Sequence, residues 1–284
     1  MRRISLLAMT AIALAGCRVA ATPINAPDNA APAAGAAELT LTRLDCGHGD
    51  FKDMNGFFSD RPGVYPPGPG RVTDSCYLIR HGNQQMVWDT GFPASSLTKP
   101  IEQDGMVAKI DRTLADQLAE VGLKPTDIDV LGISHMHSDH TGQAAQFTNA
   151  RLVIGQQDFA STAGKDDPFG PWRGTGKPVT ELTADQDVFG DGSVVALHLP
   201  GHTPDHLALL VNLKSGPVLL TGDVYHSRIS RQKRSMPGFN TSRAETLASM
   251  DKFEALAKKL GAKVIIQHEP ADIAKLPPFP AAAR

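Results

Sequence analysis

The stretch that most constrains this chain is "DVLGISHMHSDHTG", residues 129–142. A run with the pattern of a buried strand, 129–134, passes without a break into His135, His137, Asp139 and His140. The chain has only 10 histidines in 284 residues, so composition alone does not gather three of them with an aspartate into six positions. Two imidazoles at i and i+2 converge on one cation where the backbone turns tightly, and the next pair then faces a second cation. Neutral imidazole and carboxylate are the donors that a borderline divalent ion such as zinc prefers. The bland alternative, a solvated polar loop, leaves the apolar strand directly before the cluster unexplained.

Four donors do not complete two sites, and the remaining candidates share one context. His202 in "HLPGHTPDH", Asp223 in "VLLTGD" and His268 in "VIIQHEP" each stand at the end of an apolar strand pattern. Taken singly, a strand-end histidine is more often a cap or a solvated side chain. Taken with the cluster, the three supply the missing donors from strand ends that open onto one edge of a sheet. That edge is where open α/β sheets bind ligands.

The other segments supply that sheet with further strands and a few helices. "ELTLTRLDC" (38–46) alternates as a strand does, and 47–71, dense in Gly, Pro and aromatics, reads as a long loop, functional or disordered. "SCYLIRHGNQQMVWDTG" reads as two strands around the turn His81-Gly82-Asn83. A helix is expected with Leu114, Leu118 and Val121 on one face, and a last helix opens at Ser242 with Glu245 in capping-box spacing. It carries Leu247, Met250, Phe253, Leu256 and Leu260 and stops at Gly261, before the strand "KVIIQH". One α/β domain over 38–284 is expected.

Ahead of it, "MRRISLLAMTAIALAGC" has Arg2 and Arg3, an apolar stretch to Leu14 and small residues before Cys17. Residues 1–16 read as a secretory signal, and the ending Leu14-Ala15-Gly16-Cys17 resembles a bacterial lipobox that leaves Cys17 lipidated. Residues 17–37, rich in Ala and Pro, read as a flexible tether. The expected location is therefore the periplasmic side of a bacterial membrane, the outer membrane in particular, with the anchor as the sole membrane contact. Cys46 and Cys76 remain, either as a disulfide suited to that compartment or as two buried thiols. A net charge of −2 gives no global basic field, so no nucleic-acid partner is expected. The local basic run 227–234 is a solvated loop or a guide for an anionic group.

"HMHSDHTG", "GHTPDH", "LTGD" and "IIQH", in this order, resemble the metallo-β-lactamase superfamily over about residues 38–280. The resemblance implies a four-layer αβ/βα sandwich. It implies one metal held by His135, His137 and His202, a second held by Asp139, His140 and His268, and Asp223 bridging them. "VWDTG" (87–91) matches the superfamily's Asp-Thr-Gly segment, so Asp89 either supports the metal loop from behind or merely makes a turn. The opening "CYLIRHGNQQMVWDTG", the lead-in "LKPTDIDVLGISHMHSDHTG" and the ending "IIQHEP" look most like the N-acyl-homoserine lactonases, the quorum-quenching branch.

That branch implies two divalent ions, zinc being the expected identity, about 3.5–4 Å apart with a bridging hydroxide that attacks a lactone carbonyl. Asp139 is the expected proton shuttle. The expected ligand is a small-molecule lactone or ester, and a homodimer is left open. Phe51, Phe57, Phe58, Phe169 and Trp172 are lid candidates or loop-packing aromatics. The departure from the lactonase pattern is at the position three residues after the bridging Asp, where a Tyr usually meets the substrate. Here it is His226, with Tyr225 one residue early, so either His226 donates or Tyr225 reaches in. The alternatives are another dinuclear hydrolase acting on an ester, thioester, β-lactam or phosphodiester, and a non-hydrolytic iron or binding lipoprotein.

Overall fold

Alternation of side chains along the strands decides how the layers stack. The structure, a computed structural model, describes residues 38–284; the expected leader, Cys17 and the Ala/Pro-rich tether lie outside the described residues. The first sheet has eight strands: β1 (Leu39–Phe51), β2 (Gly70–His81), β3 (Gln84–Trp88), β4 (Ile101–Gln103), β5 (Met106–Lys109), β6 (Val130–Gly132), β7 (Arg151–Gly155) and β8 (Val179–Leu182). Their spatial order is β4-β5-β1-β2-β3-β6-β7-β8. The second has β9 (Gln186–Asp187), β10 (Val194–His198), β11 (Leu207–Leu213), β12 (Gly216–Leu220) and β13 (Lys263–Ile265), in the order β13-β12-β11-β10-β9. The α-helices are α1 (Met54–Phe58), α2 (Leu114–Glu120), α3 (Ser138–Thr141), α4 (Gln156–Ser161), α5 (Arg228–Lys233) and α6 (Arg243–Leu260).

Tyr77, Ile79, Met86, Trp88 and Val153 of the first sheet pack against Val194, Leu207, Leu209, Val218 and Ile265 of the second. The alternate positions of the first sheet, Leu78, Val87, Leu131 and Leu152, turn the other way onto Leu114 and Leu118 of α2. In the second sheet Ala208, Leu210, Leu219 and Val264 turn outward onto Met250, Phe253 and Ala257 of α6. Helix, sheet, sheet and helix therefore form four layers, the expected αβ/βα sandwich. Each large side chain buried in these interfaces is worth about 1.5–3 kcal/mol, so a one-residue slip of any central strand is strongly opposed.

Strand direction places the site. β3 runs parallel to β6, and β12 parallel to β13. β10 and β12 both run antiparallel to β11 and so share a direction. The residues that follow the C-terminal ends of β3, β6, β10, β12 and β13 meet at one edge.

The 47–71 region departs from the expected loop. β1 continues to Phe51, which pairs with Gly70 at the start of β2, and α1 fills part of the connection. "GHGDF" carries no apolar alternation, and backbone pairing to β2 and β5 holds it extended instead. The β4–β5 hairpin over 101–109 has no clear sequence pattern and was not expected. A register shift between Asp45 and Gly47 marks a bulge at Cys46, and Cys46 forms a disulfide with Cys76 on the neighbouring strand, 30 positions away. In the chain-entropy account, closing a loop of that length stabilises the fold by about 3–4 kcal/mol. Among the described residues no helix is long and apolar enough to cross a membrane.

Candidate metal centre

β6 ends at Gly132, and two residues later the chain turns sharply through His135 and His137 into α3. His202 enters from the turn after β10. The ligating atoms converge: His135 Nε2 and His137 Nδ1 are 3.0 Å apart, and His137 Nδ1 and His202 Nε2 are 3.1 Å apart. Asp223 Oδ2 lies 3.3 Å from His202 Nε2 and 3.7 Å from His135 Nε2. A tetrahedral ion with metal–nitrogen bonds near 2.0–2.1 Å spaces its donors about 3.3 Å apart, so this quartet fits one divalent cation. Burial drives His135 well below its ordinary pKa and, with His202 alongside, lowers His137 to about 4. Both rings therefore offer lone pairs at neutral pH.

A second group adjoins the first. His140 Nε2 and His268 Nε2 are 3.3 Å apart, and Asp139 Oδ2 stands 3.8 Å from each. Asp223 Oδ1 lies 2.9 Å from His268 Nε2 and 3.5 Å from His140 Nε2, yet this buried oxygen accepts no hydrogen bond. Asp223 thus divides its oxygens, one to each group. A buried carboxylate oxygen without a donor calls for positive charge. Against the effect of burial, Asp223 lifts His268 to about 9. Burial also opposes ionisation of Asp223, but His226, His268 and His140 hold it well below the usual carboxylate range. The donor set, its spacing and the unpartnered oxygen all fit a pair of cations.

The surrounding residues aim the donors. His268 Nδ1 is 2.8 Å from the Thr73 carbonyl, which turns Nε2 to the site, and His202 Nδ1 is 2.9 Å from Asn240 Oδ1. Asp89, in the left-handed region at φ 59°, accepts from the Ser134 amide at 2.7 Å and lies 3.1 Å from His140 Nδ1. Of its two readings, the supporting role describes its position. Gly142 N donates to Gly91 O, and a Cβ at Gly142 would fall 2.2 Å from Pro93 N, so only glycine lets the Asp-Thr-Gly turn press against α3.

Several of these contacts were missed in the sequence. Gln267 Nε2 donates to Asp89 Oδ2 at 3.0 Å, and His206 Nε2 accepts from the Asp223 amide at 2.8 Å. A polar residue wedged between an apolar strand and His268, and the second histidine of "HTPDH", were the available signals. Asn240 had none.

The structure separates Tyr225 from His226, and this corrects the grouping of Tyr225 with the site. Tyr225 is buried on the α6 side, with its ring 5.8 Å from Phe253 and Arg231 stacked over it at 6.0 Å. Just before them, a tight turn at Gly222–Val224, with Gly222 at φ 50°, decides which of two neighbouring side chains faces the site. His226 does: its Nε2 is 2.9 Å from Asp223 Oδ2, and its ring lies near His202, His268 and Phe58.

The lid candidates also divide. Phe57 and Phe58 pack on each other and on Phe51, and Phe58 touches His226. Phe169 and Trp172 belong to the core under α2, where Trp172 Nε1 donates to the Ala150 carbonyl. Phe239, missed in the sequence, completes the mouth: it is 52% exposed and stands 5.6 Å from Phe57 and 6.0 Å from both His137 and His202. The basic run forms α5 and its C-cap, and its three arginines are ion-paired, Arg228 with Asp272, Arg231 with Glu254 and Arg234 with Asp251.

Residues 69–268 match the model of the metallo-β-lactamase superfamily. The chain belongs to that superfamily, whose four-layer fold and histidine-rich edge it carries. It is a metal-dependent hydrolase. Among its relatives, the N-acyl homoserine lactonase AttM of Azorhizobium caulinodans is 30% identical over 217 residues, covering 68% of this chain and 81% of the relative. The protein of the same name from Rhizobium radiobacter is 30% identical over 229 residues, covering 72% and 85%. A crystal structure of a quorum-quenching N-acyl homoserine lactone hydrolase superposes with a TM-score of 0.74 at 20% identity, over 87% of this chain and 99% of that one.

Proposed function

We propose that this protein opens lactone rings, N-acyl-homoserine lactones in particular, using two divalent ions, zinc by the chemistry of the donors. The observation that carries the reading is the division of Asp223 between two donor groups beneath an aromatic mouth. The relatives named N-acyl homoserine lactonases support the substrate class. So does the engagement of the guanidinium groups of Arg228, Arg231 and Arg234 in ion pairs, which suits a neutral ligand with an apolar tail better than a phosphodiester.

His135, His137 and His202 would hold one ion, and Asp139, His140 and His268 the other, with Asp223 shared. Bound there, the ions would lower the pKa of a water towards neutrality, supply hydroxide as the nucleophile and polarise the ester carbonyl. Asp139 is 28% exposed while His140 and His268 are buried, so it is the donor of its group that can take a proton at the open face and return it to the departing alkoxide. His226, whose Nε2 lies 2.9 Å from Asp223 Oδ2, holds the shared carboxylate in its divided orientation. Phe57, Phe58 and Phe239 exclude water and offer apolar surface to an acyl chain.

The test sets purified protein against acyl-homoserine lactones of several chain lengths, beside nitrocefin and a phosphodiester, with metal content measured on the same sample. Lactone opening with two ions per chain is expected. Cleavage of another substrate without lactone turnover, or a single iron per chain, overturns the reading.

Export with a lipid anchor at Cys17 is our reading of residues 1–17, and the Cys46–Cys76 disulfide supports an oxidising compartment. Cys17→Ser should move the protein from the membrane to the soluble fraction; unchanged partition refutes the anchor.

A further inference from the structure

Asp158 lies outside the donor set and is fully buried. It sits in α4, directly after β7, the strand that pairs in parallel with β6. Its carboxylate faces two loops at once. Oδ2 accepts the Thr203 hydroxyl at 2.5 Å, and Oδ1 accepts the Asp205 amide at 3.1 Å. Burial raises the Asp158 carboxyl, and the Met136 backbone is among the neighbours that oppose the rise. Met136 is the residue between His135 and His137, and Thr203 follows His202.

The approach is built in from the other side as well. Asp205 Oδ2 accepts the Gln157 amide at 2.8 Å. A Cβ at Gly155 would fall 2.2 Å from the Asp205 carbonyl oxygen, so glycine there is what lets α4 reach the turn that carries His202. A buried carboxylate that accepts from several donors is costly to replace, because each donor left over is itself buried and unpaired.

From this geometry we infer that Asp158 is a positioning residue: it sets the distance between the His135–His137 loop and the His202 loop, and so the bite of the three-nitrogen group on its ion. Asp158 touches neither the ion nor the substrate. It acts through backbone and hydroxyl groups adjacent to the ligands, as Asp89 acts on the second group through His140. An amide in its place keeps the shape but puts an NH2 where one oxygen accepts, which the Thr203 hydroxyl meets only by giving up its donor role. The inference rests on the reading of His135, His137 and His202 as a metal site.

The experiment titrates full-length protein with cobalt(II), following visible absorption and chelator competition, and needs no lactone. In Asp158→Asn, affinity for the ion of the three-histidine group should fall about 10–100-fold with an altered cobalt spectrum, while the second ion binds as in the wild type. Thr203→Val, which removes one donor and keeps the shape, should shift the same site in the same direction by less, and it serves if Asp158→Asn does not fold. Wild-type affinity and spectrum in the soluble variants, with only a lowered Tm, would assign Asp158 a purely structural part and overturn the inference. Wild-type protein that takes up no cobalt at the three-histidine group would instead sink the metal-site reading on which the inference stands.

Discussion

The two donor groups are held by overlapping strategies that differ in one support. In the second group the supports touch the ligands: Asp89, Ser134 and Gln267 surround His140 Nδ1, and the Thr73 carbonyl meets His268 Nδ1. In the first group Ser134 meets His135 Nδ1 and Asn240 meets His202 Nδ1, and a buried carboxylate, Asp158, bonds Thr203 and Asp205 of the loop that carries His202. Support of the first kind fixes ring orientation, and support of the second kind fixes the spacing between chain segments. Both groups span the two sheets: His202 follows β10 and His268 follows β13, both of the second sheet, and each meets donors that follow β6 of the first.

Asp223 joins the two strategies, so its loss should have the largest effect. Asp223→Ala should bind neither ion at normal affinity and lose nearly all activity; metal analysis showing one ion retained at wild-type affinity would mean that the groups are independent. Asp89→Asn should weaken the second ion by about 10–100-fold and leave the first in place. Equal loss of both ions would show that Asp89 holds the whole edge rather than one ligand.

Acidification sharpens the same contrast. A metal competes with a proton at every imidazole donor, so affinity falls as pH falls through the pKa of the metal-free ring. Against burial, Asp223 holds His268 up at about 9, whereas burial lowers His137 to about 4 and His135 also well below its usual value. On lowering the pH the second ion should therefore leave first. Metal content followed across the titration checks this, and release in the opposite order breaks it.

His226→Phe removes the imidazole that lies 2.9 Å from Asp223 Oδ2 but no assigned ligand. Both ions should stay while turnover falls, and loss of the ions from this variant would mean that the ligand set is misassigned.

What could be read from the sequence depended on whether chemistry or backbone path decided the outcome. The gathering of the seven donors was legible because four of them crowd into six positions after one strand and the other three, ambiguous singly, end strands at the same edge, and the layers because residues such as Leu78 and Ile79 alternate between two apolar faces. Tyr225 and His226 were not separable, since the turn at Gly222–Val224 decides which one faces inward, and its geometry is not a matter of composition. Phe169 and Trp172 looked like Phe57 and Phe58, aromatics in Gly- and Pro-rich segments, but one pair packs under α2 and the other beside His226. Asp158 stood in no motif. Its role exists only because parallel pairing of β6 and β7 brings α4 to the loop after β10.

The smallest effect belongs to the mouth, where nothing is hydrogen-bonded. Phe239 is half exposed and rests edge-on against Phe57, so truncation leaves no unpaired polar group and no sealed cavity. Phe239→Ala should keep both ions and the kcat for short-chain lactones. For long acyl chains the lost contact is worth about 1 kcal/mol by the apolar area involved, a rise of roughly fivefold in KM. The dependence on chain length is the telling quantity. A ring that contacts the tail penalises long substrates selectively, whereas a ring that only shields the site lowers kcat for all of them alike. A uniform loss across chain lengths would therefore move Phe239 from substrate recognition to water exclusion, leaving Phe57 and Phe58 as the surface against which a tail could lie.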